Sequence, residues 1–151
     1  LVGAGVGKVQ VLNGVPTVTE RFGSTGYWWQ SSSLPRYGDV AAYRDINSQY
    51  IYLWGGAPTS QTGYVPSGYV YQARVVAEDA FDLSAYEYWH GRASGWSSTP
   101  LTTFSSETAV MWGTGQGQVV ISRFYGCYMF VHIGIWKFPS LFLTTILLNQ
   151  D

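Results

Sequence analysis

Charge is what this sequence has least of. Asp, Glu, Lys and Arg together make up 11% of its 151 residues, less than half of the roughly 25% usual in a soluble globular domain. The eight basic and nine acidic side chains nearly cancel, leaving a formal charge of −1. A nucleic-acid partner is therefore not expected, because phosphate binding needs concentrated basic charge. Nor is the chain disordered, since 46% of it is apolar and disorder requires low hydrophobicity with high net charge. Cysteine occurs once, at Cys127, so no internal disulfide can form and cysteine usage leaves the compartment open. With only His90 and His132 beside it, no metal-ligand cluster is expected. Nucleotide cofactors are unexpected too. Gly3-Ala4-Gly5-Val6-Gly7 lacks the dinucleotide-binding spacing, and the glycines from Gly113 to Gly117 are not followed by the Lys-Ser/Thr of a phosphate loop. The sequence also lacks a Gly-x-Ser-x-Gly nucleophile elbow. It starts at Leu1 with no basic, apolar and small-residue leader, which reads as a processed chain or a fragment without a signal peptide of its own.

Aromatic residues, at 17%, and 18 glycines fill the space that charge leaves. Few Lys and Glu with many Tyr, Trp, Val and Thr favour strands over helices. Val9, Val11 and Val15 around Asn13-Gly14 predict a hairpin within residues 6–18, because Asn-Gly supplies the positive φ angles of a tight turn. Residues 22–35, rich in Gly and Ser and carrying Trp28 and Trp29, read as a loop. Strands are then predicted over 40–44, 50–54, 68–76 and 86–89. In the second, Tyr50, Tyr52 and Trp54 share one face and Ile51 and Leu53 the other, so it is expected between two layers. In the third, Tyr69, Tyr71, Ala73 and Val75 oppose Gln72 and Arg74, the pattern of a strand nearer the outside. Glu87 reads as solvent-facing. Trp54, Trp89 and Trp112, at strand positions, and His132, on an apolar strand, read as core residues.

Four short strands in succession are the pattern of a β-meander, the unit of a propeller blade. An internal echo adds to it. Gly38-Asp39-Val40-Ala41-Ala42-Tyr43-Arg44 is matched by Gly117-Gln118-Val119-Val120-Ile121-Ser122-Arg123, an offset of 79 (117 − 38). Tyr50-Ile51-Tyr52-Leu53-Trp54 is matched by Tyr128-Met129-Phe130-Val131-His132, an offset of 78 (128 − 50). A blade needs about 40 to 50 residues, which leaves room for insertions at 59–67 and 92–116. From Tyr128 to Leu148 the chain is mostly apolar and long enough on length alone to span a bilayer. His132, Lys137 and Pro139 interrupt the run, so a membrane is not an expected partner. Residues 135–151 are read instead as a non-conforming apolar tail, foreign to the fold of residues 1–134.

The ordered segments Pro35-Arg36-Tyr37-Gly38-Asp39-Val40-Ala41-Ala42-Tyr43-Arg44-Asp45, Tyr50-Ile51-Tyr52-Leu53-Trp54-Gly55-Gly56, Gln72-Ala73-Arg74-Val75 and Ala85-Tyr86-Glu87-Tyr88-Trp89-His90-Gly91 resemble the domain of unknown function 4185 family, in particular its fungal members. The resemblance spans roughly residues 5–134. It implies a secreted protein with a five-bladed β-propeller fold and kinship to propeller glycoside hydrolases, including enzymes that cleave D-arabinan. A chain of this length would be an incomplete propeller of about two blades.

The expected fold is thus all-β, a partial β-propeller belonging to a five-bladed one. The expected function is that of a fragment of a secreted carbohydrate-active protein, a glycoside hydrolase on an arabinan-like polysaccharide. Two alternatives stand beside it: a non-catalytic carbohydrate-binding or surface-interaction protein, and a truncated product with no function. Glycoside hydrolysis commonly uses two carboxyl groups across the scissile bond. Asp39, opening an inner strand toward the channel of such a propeller, is the first catalytic candidate, with a turn-capping role as the alternative. Glu107, in Ser105-Ser106-Glu107-Thr108, is the second, with an exposed loop glutamate as the alternative. Asp45 lies too far along the same strand to pair with Asp39, about 20 Å at ~3.3 Å per residue. Trp28, Trp29 and Trp96 are candidates for stacking on sugar rings or for packing against the sheets. Gln118, in the position equivalent to Asp39, can donate and accept hydrogen bonds to a substrate but cannot serve as a general base.

Overall fold

The computed structural model describes residues 2–134 and 141–145. In chain order its strands are β1 (Gly3–Ala4), β2 (Gly7–Leu12), β3 (Val15–Arg21), β4 (Trp29–Gln30), β5 (Arg36–Arg44), β6 (Tyr50–Gly56), β7 (Tyr69–Val76), β8 (Glu87–Trp89), β9 (Trp96–Ser97), β10 (Met111–Trp112), β11 (Thr114–Ser122), β12 (Cys127–Gly134) and β13 (Leu141–Thr145). One four-residue helix, Tyr64–Ser67, precedes β7. The architecture is all-β, built of antiparallel sheets that remain open. Among the described residues no helix is long and apolar enough to cross a membrane.

The hairpin expected within residues 6–18 forms as β2 and β3, with Asn13 at φ 51° and Gly14 at φ 81° closing its two-residue turn. Both central residues have positive φ, the geometry that matches the twist of the flanking strands. The expected loop over 22–35 is interrupted: Ala4 pairs with Trp29 and Gly3 with Gln30. The main sheet runs β5-β6-β7-β8-β9, with β10 pairing the end of β7 beyond β8. Strand β5 begins four residues earlier than expected and carries a three-residue bulge, Gly38–Val40, between the pairs Tyr37↔Gly55 and Ala41↔Trp54. Gly55 is required there, since a Cβ would lie 2.5 Å from the Tyr37 backbone nitrogen.

Alternation across β6 and β7 builds two cores. On one face Tyr37, Leu53, Tyr71, Ala73, Val75, Tyr86 and Tyr88 pack with Trp29 and Leu101. On the other, Val40, Ala41, Trp54 and Val70 pack with Val119 and Phe130 from the β11-β12 hairpin. The expected two-sided burial of β6 is present: Leu53 enters one core and Trp54 the other. Each such large side chain contributes about 1.5–3 kcal/mol by leaving water.

The polar face of β7 departs from expectation. Gln72 is buried and Arg74 half-buried, because aromatic rings cover that face. Glu87 is likewise half-buried, as the ion-pair partner of Arg74. Trp112 also departs, being 42% exposed; its strand lies at the sheet end, where its indole N–H donates to the Val65 carbonyl at 3.0 Å. Trp54 is core, Trp89 half-buried, and His132 is buried with its ring stacked on Phe130. Both halves of the internal echo are hairpins, but their registers differ. Ala42 pairs with Leu53, whereas their counterparts Ile121 and Val131 pair with Tyr128 and Gln118. The bulge in β5 takes up residues that β11 leaves in its ladder. Within the tail, Leu141–Thr145 pairs with Met129–Ile133 as the third strand of the β11-β12-β13 sheet; residues 135–140 and 146–151 lie outside the described residues.

Four tyrosines in the first core have ionisation pushed up, chiefly by burial: Tyr37, Tyr86 and Tyr88 in direction, and Tyr71 to about 12. An unfolded tyrosine ionises near pH 10. The folded state therefore holds fewer negative phenolates above that pH, and the associated stability is present below about pH 10 and lost as pH rises through the folded values. Lysine occurs only at Lys8 and Lys137, which limits competing alkaline titrations. The urea midpoint is predicted to fall steadily between pH 10 and 12; a flat midpoint over that range would contradict burial of these phenols.

Candidate functional site

Asp39 occupies the β5 bulge, where the chain leaves the ladder and a side chain must replace lost strand pairing. Its Oδ1 accepts the Gly56 N–H at 2.9 Å, and its Oδ2 accepts the Arg36 Nε–H at 2.6 Å. Arg36 continues the chain of bonds by donating from Nη1 to the Ala57 carbonyl at 2.6 Å. Both carboxylate oxygens are thus committed to holding β5 against β6. The group is part-buried and charge-assisted, the kind of hydrogen bond that is roughly twice as strong as a neutral one. This matches the capping alternative, with the partner being a bulge instead of a turn.

Glu107 sits on an exposed turn, its backbone N–H donating to Ser105 Oγ at 3.3 Å. That turn is seated by Gly91, at φ 90°, where a Cβ would lie 2.5 Å from the Glu107 carbonyl oxygen. The turn belongs to none of the sheets, and three residues on, the Val110 N–H donates to the Val70 carbonyl at the edge of β7. Among the described residues Asp39 and Glu107 share no hydrogen-bond partner, and an acid pair needs carboxyl separations of about 5–9.5 Å.

Trp29 is 1% exposed, edge-on to Tyr37 and Tyr86, with its Nε1–H donating to the Tyr88 hydroxyl at 3.2 Å. No face of it is open to a sugar. Trp28 is half-buried against Phe22 and Tyr86. Gln118 is exposed on β11, opposite Val131. Trp96 is half-buried on β9, and it alone of the three tryptophan candidates joins a cluster of charged side chains.

That cluster was not evident from sequence. Register places Arg74 opposite Glu87, and Arg74 Nε donates to Glu87 Oε2 at 2.7 Å. The guanidinium lies 4.3 Å from the Tyr50 ring centroid and 4.2 Å from that of Trp96. Trp89 and Tyr52 flank Trp96 at 5.4 and 6.3 Å. Among the described residues only Nε of this guanidinium is hydrogen-bonded to protein, so its terminal nitrogens retain donors. The alternation of Gln72 and Arg74 on β7 is the available signal in the sequence; it suggests an outward face because the aromatic partners come from β6 and β9.

Among the described residues no group of three His, Cys, Asp or Glu side chains could hold a metal ion. Comparison with known proteins finds no matching family model and no matching curated protein.

Asp39→Asn, which keeps the shape but removes the charge, is predicted to lower stability by about 1–2 kcal/mol, read as a reduced urea midpoint. An unchanged midpoint would show that the clasp on Gly56 and Arg36 does not support the bulge.

Proposed function

We propose that the chain belongs to a carbohydrate-active β-protein and contributes a glycan-binding face, the Tyr50-Arg74-Trp96 stack with Glu87, Trp89 and Tyr52. The observation that carries this reading is the joining of half-exposed aromatic rings to a planar ion pair on one sheet face. Sugars offer apolar C–H faces, which suit aromatic surfaces, and vicinal hydroxyls, which suit the paired donors of an Arg fork and the acceptors of a carboxylate. The resemblance to the domain of unknown function 4185 family supports the same ligand class, an arabinan-like polysaccharide, and a secreted location. The consecutive strands β5 to β8, with a second sheet stacked on their face, support reading them as part of a five-bladed propeller.

Hydrolysis is the second reading, favoured by the same resemblance, whose first motif centres on Asp39. It would require a second carboxylate at about 5–9.5 Å from that of Asp39, with Glu107 as the candidate. On the geometry of the described residues, binding is the better-supported function.

The test is calorimetric titration of the chain with arabinan oligosaccharides, alongside Arg74→Ala and Trp96→Ala variants checked for folding by circular dichroism. Each substitution is predicted to weaken binding about tenfold or more, equivalent to about 1.4 kcal/mol. Wild-type affinity in both folded variants, or no binding by the parent chain, would contradict the proposal.

A further inference from the structure

The first core contains two phenols with no visible reason to be there. Tyr37 and Tyr71 are 2% and 0% exposed, and among the described residues neither hydroxyl has a hydrogen-bond partner. Phenylalanine would fill the same volume without the penalty. A buried hydroxyl left unpaired costs about as much as the hydrogen bond it forgoes, and native interiors seldom tolerate two in one core.

Register shows that these phenols belong together. Tyr37 pairs with Gly55, and Gly55 pairs with Tyr71. Directly opposed residues point to the same face, so the two tyrosines stand in one transverse row with a glycine between them. The sheet contributes no side chain to separate them. Tyr88 closes the group: its ring centroid is 5.3 Å from that of Tyr37, and it stands opposite Ala73, another small residue. Its hydroxyl accepts the Trp29 indole proton, which leaves its own proton to be donated elsewhere. Both Tyr88 and Tyr71 oppose ionisation of Tyr37, consistent with three phenols facing one interior region.

We propose that this region is an internal binding site for a water molecule, held by the hydroxyls of Tyr37, Tyr71 and Tyr88. Three polar partners are the usual complement of a buried water, and such waters occupy polar interior sites that are costly to empty. The water accepts from one phenol and donates to others, so it satisfies groups that cannot reach one another directly. Trp29 fixes Tyr88 at the edge of the site, linking the water to the pairing of β4 with β1.

The sign of a Tyr→Phe substitution distinguishes the two states. If the hydroxyls are truly orphaned, removing either relieves a desolvation penalty and raises the melting temperature. If a water bridges them, Tyr37→Phe and Tyr71→Phe each strip a partner from it and lower the melting temperature by about 2–4 °C. The double variant is then expected to lose less than the sum of the singles, because the second removal acts on a site already weakened. A rise in either single variant, or strict additivity, overturns the proposal. Magnetic relaxation dispersion of water oxygen-17 on the unmodified protein provides a readout independent of variant folding. A long-lived water population that is lost in the double Phe variant supports the site. The absence of any long-lived water in the unmodified protein refutes it.

Discussion

Burial of strand β6 on both faces is the constraint on which the rest of this structure depends. Leu53 and Trp54 are adjacent in sequence and enter separate cores, so the sheet cannot face water across its middle. Three consequences follow from that arrangement. The charged fraction is low, because two-sided strands offer few solvent positions. Charged groups beside the layers are paired within the protein, as Asp39 is with Arg36 and Gly56 and Arg74 with Glu87. Tyrosine replaces charge as the polar residue of the interior, with several phenols held in their neutral form by desolvation.

The same constraint separates aromatic residues that build the fold from those able to meet a ligand. Trp29 lies within strand β4 and is sealed on all sides, although the surrounding Gly and Ser suggest an open loop. Trp96 belongs to neither core, and its ring is half-buried beside a guanidinium. An abundance of tryptophan therefore says little about glycan binding until the layers are known. The position of β11 and β12 over Trp54 decides which part of that face is closed. Tyr128 extends this packing, its ring edge-on to that of Tyr43 on β5 at 5.7 Å.

Much of the strand order was legible because it rests on local chemistry. Asn13-Gly14 dictates its turn, and alternation through Tyr50-Ile51-Tyr52-Leu53-Trp54 encodes two apolar faces. Long-range features were harder to read. The bulge at Gly38–Val40 carries no unusual residue beyond Gly38, yet it sets the Asp39 carboxylate against Gly56 and Arg36. The polar residues Gln72 and Arg74 look outward in sequence and are covered in the fold, because their aromatic neighbours arrive from strands more than fifteen residues away. The sequence echo correctly indicates two hairpins and fails at the level of register, since one bulge shifts every subsequent pair.

Amide hydrogen exchange resolved by residue tests the two-sided burial most directly. Protection rises with burial and hydrogen bonding of the element concerned. The amides of Leu53 and Trp54 are expected to be among the slowest in the chain, exchanging only through global unfolding. Those of Val9 and Val11, on the exposed β2-β3 hairpin, should exchange orders of magnitude faster. Equal exchange rates in β6 and in that hairpin would contradict a sheet closed on both faces.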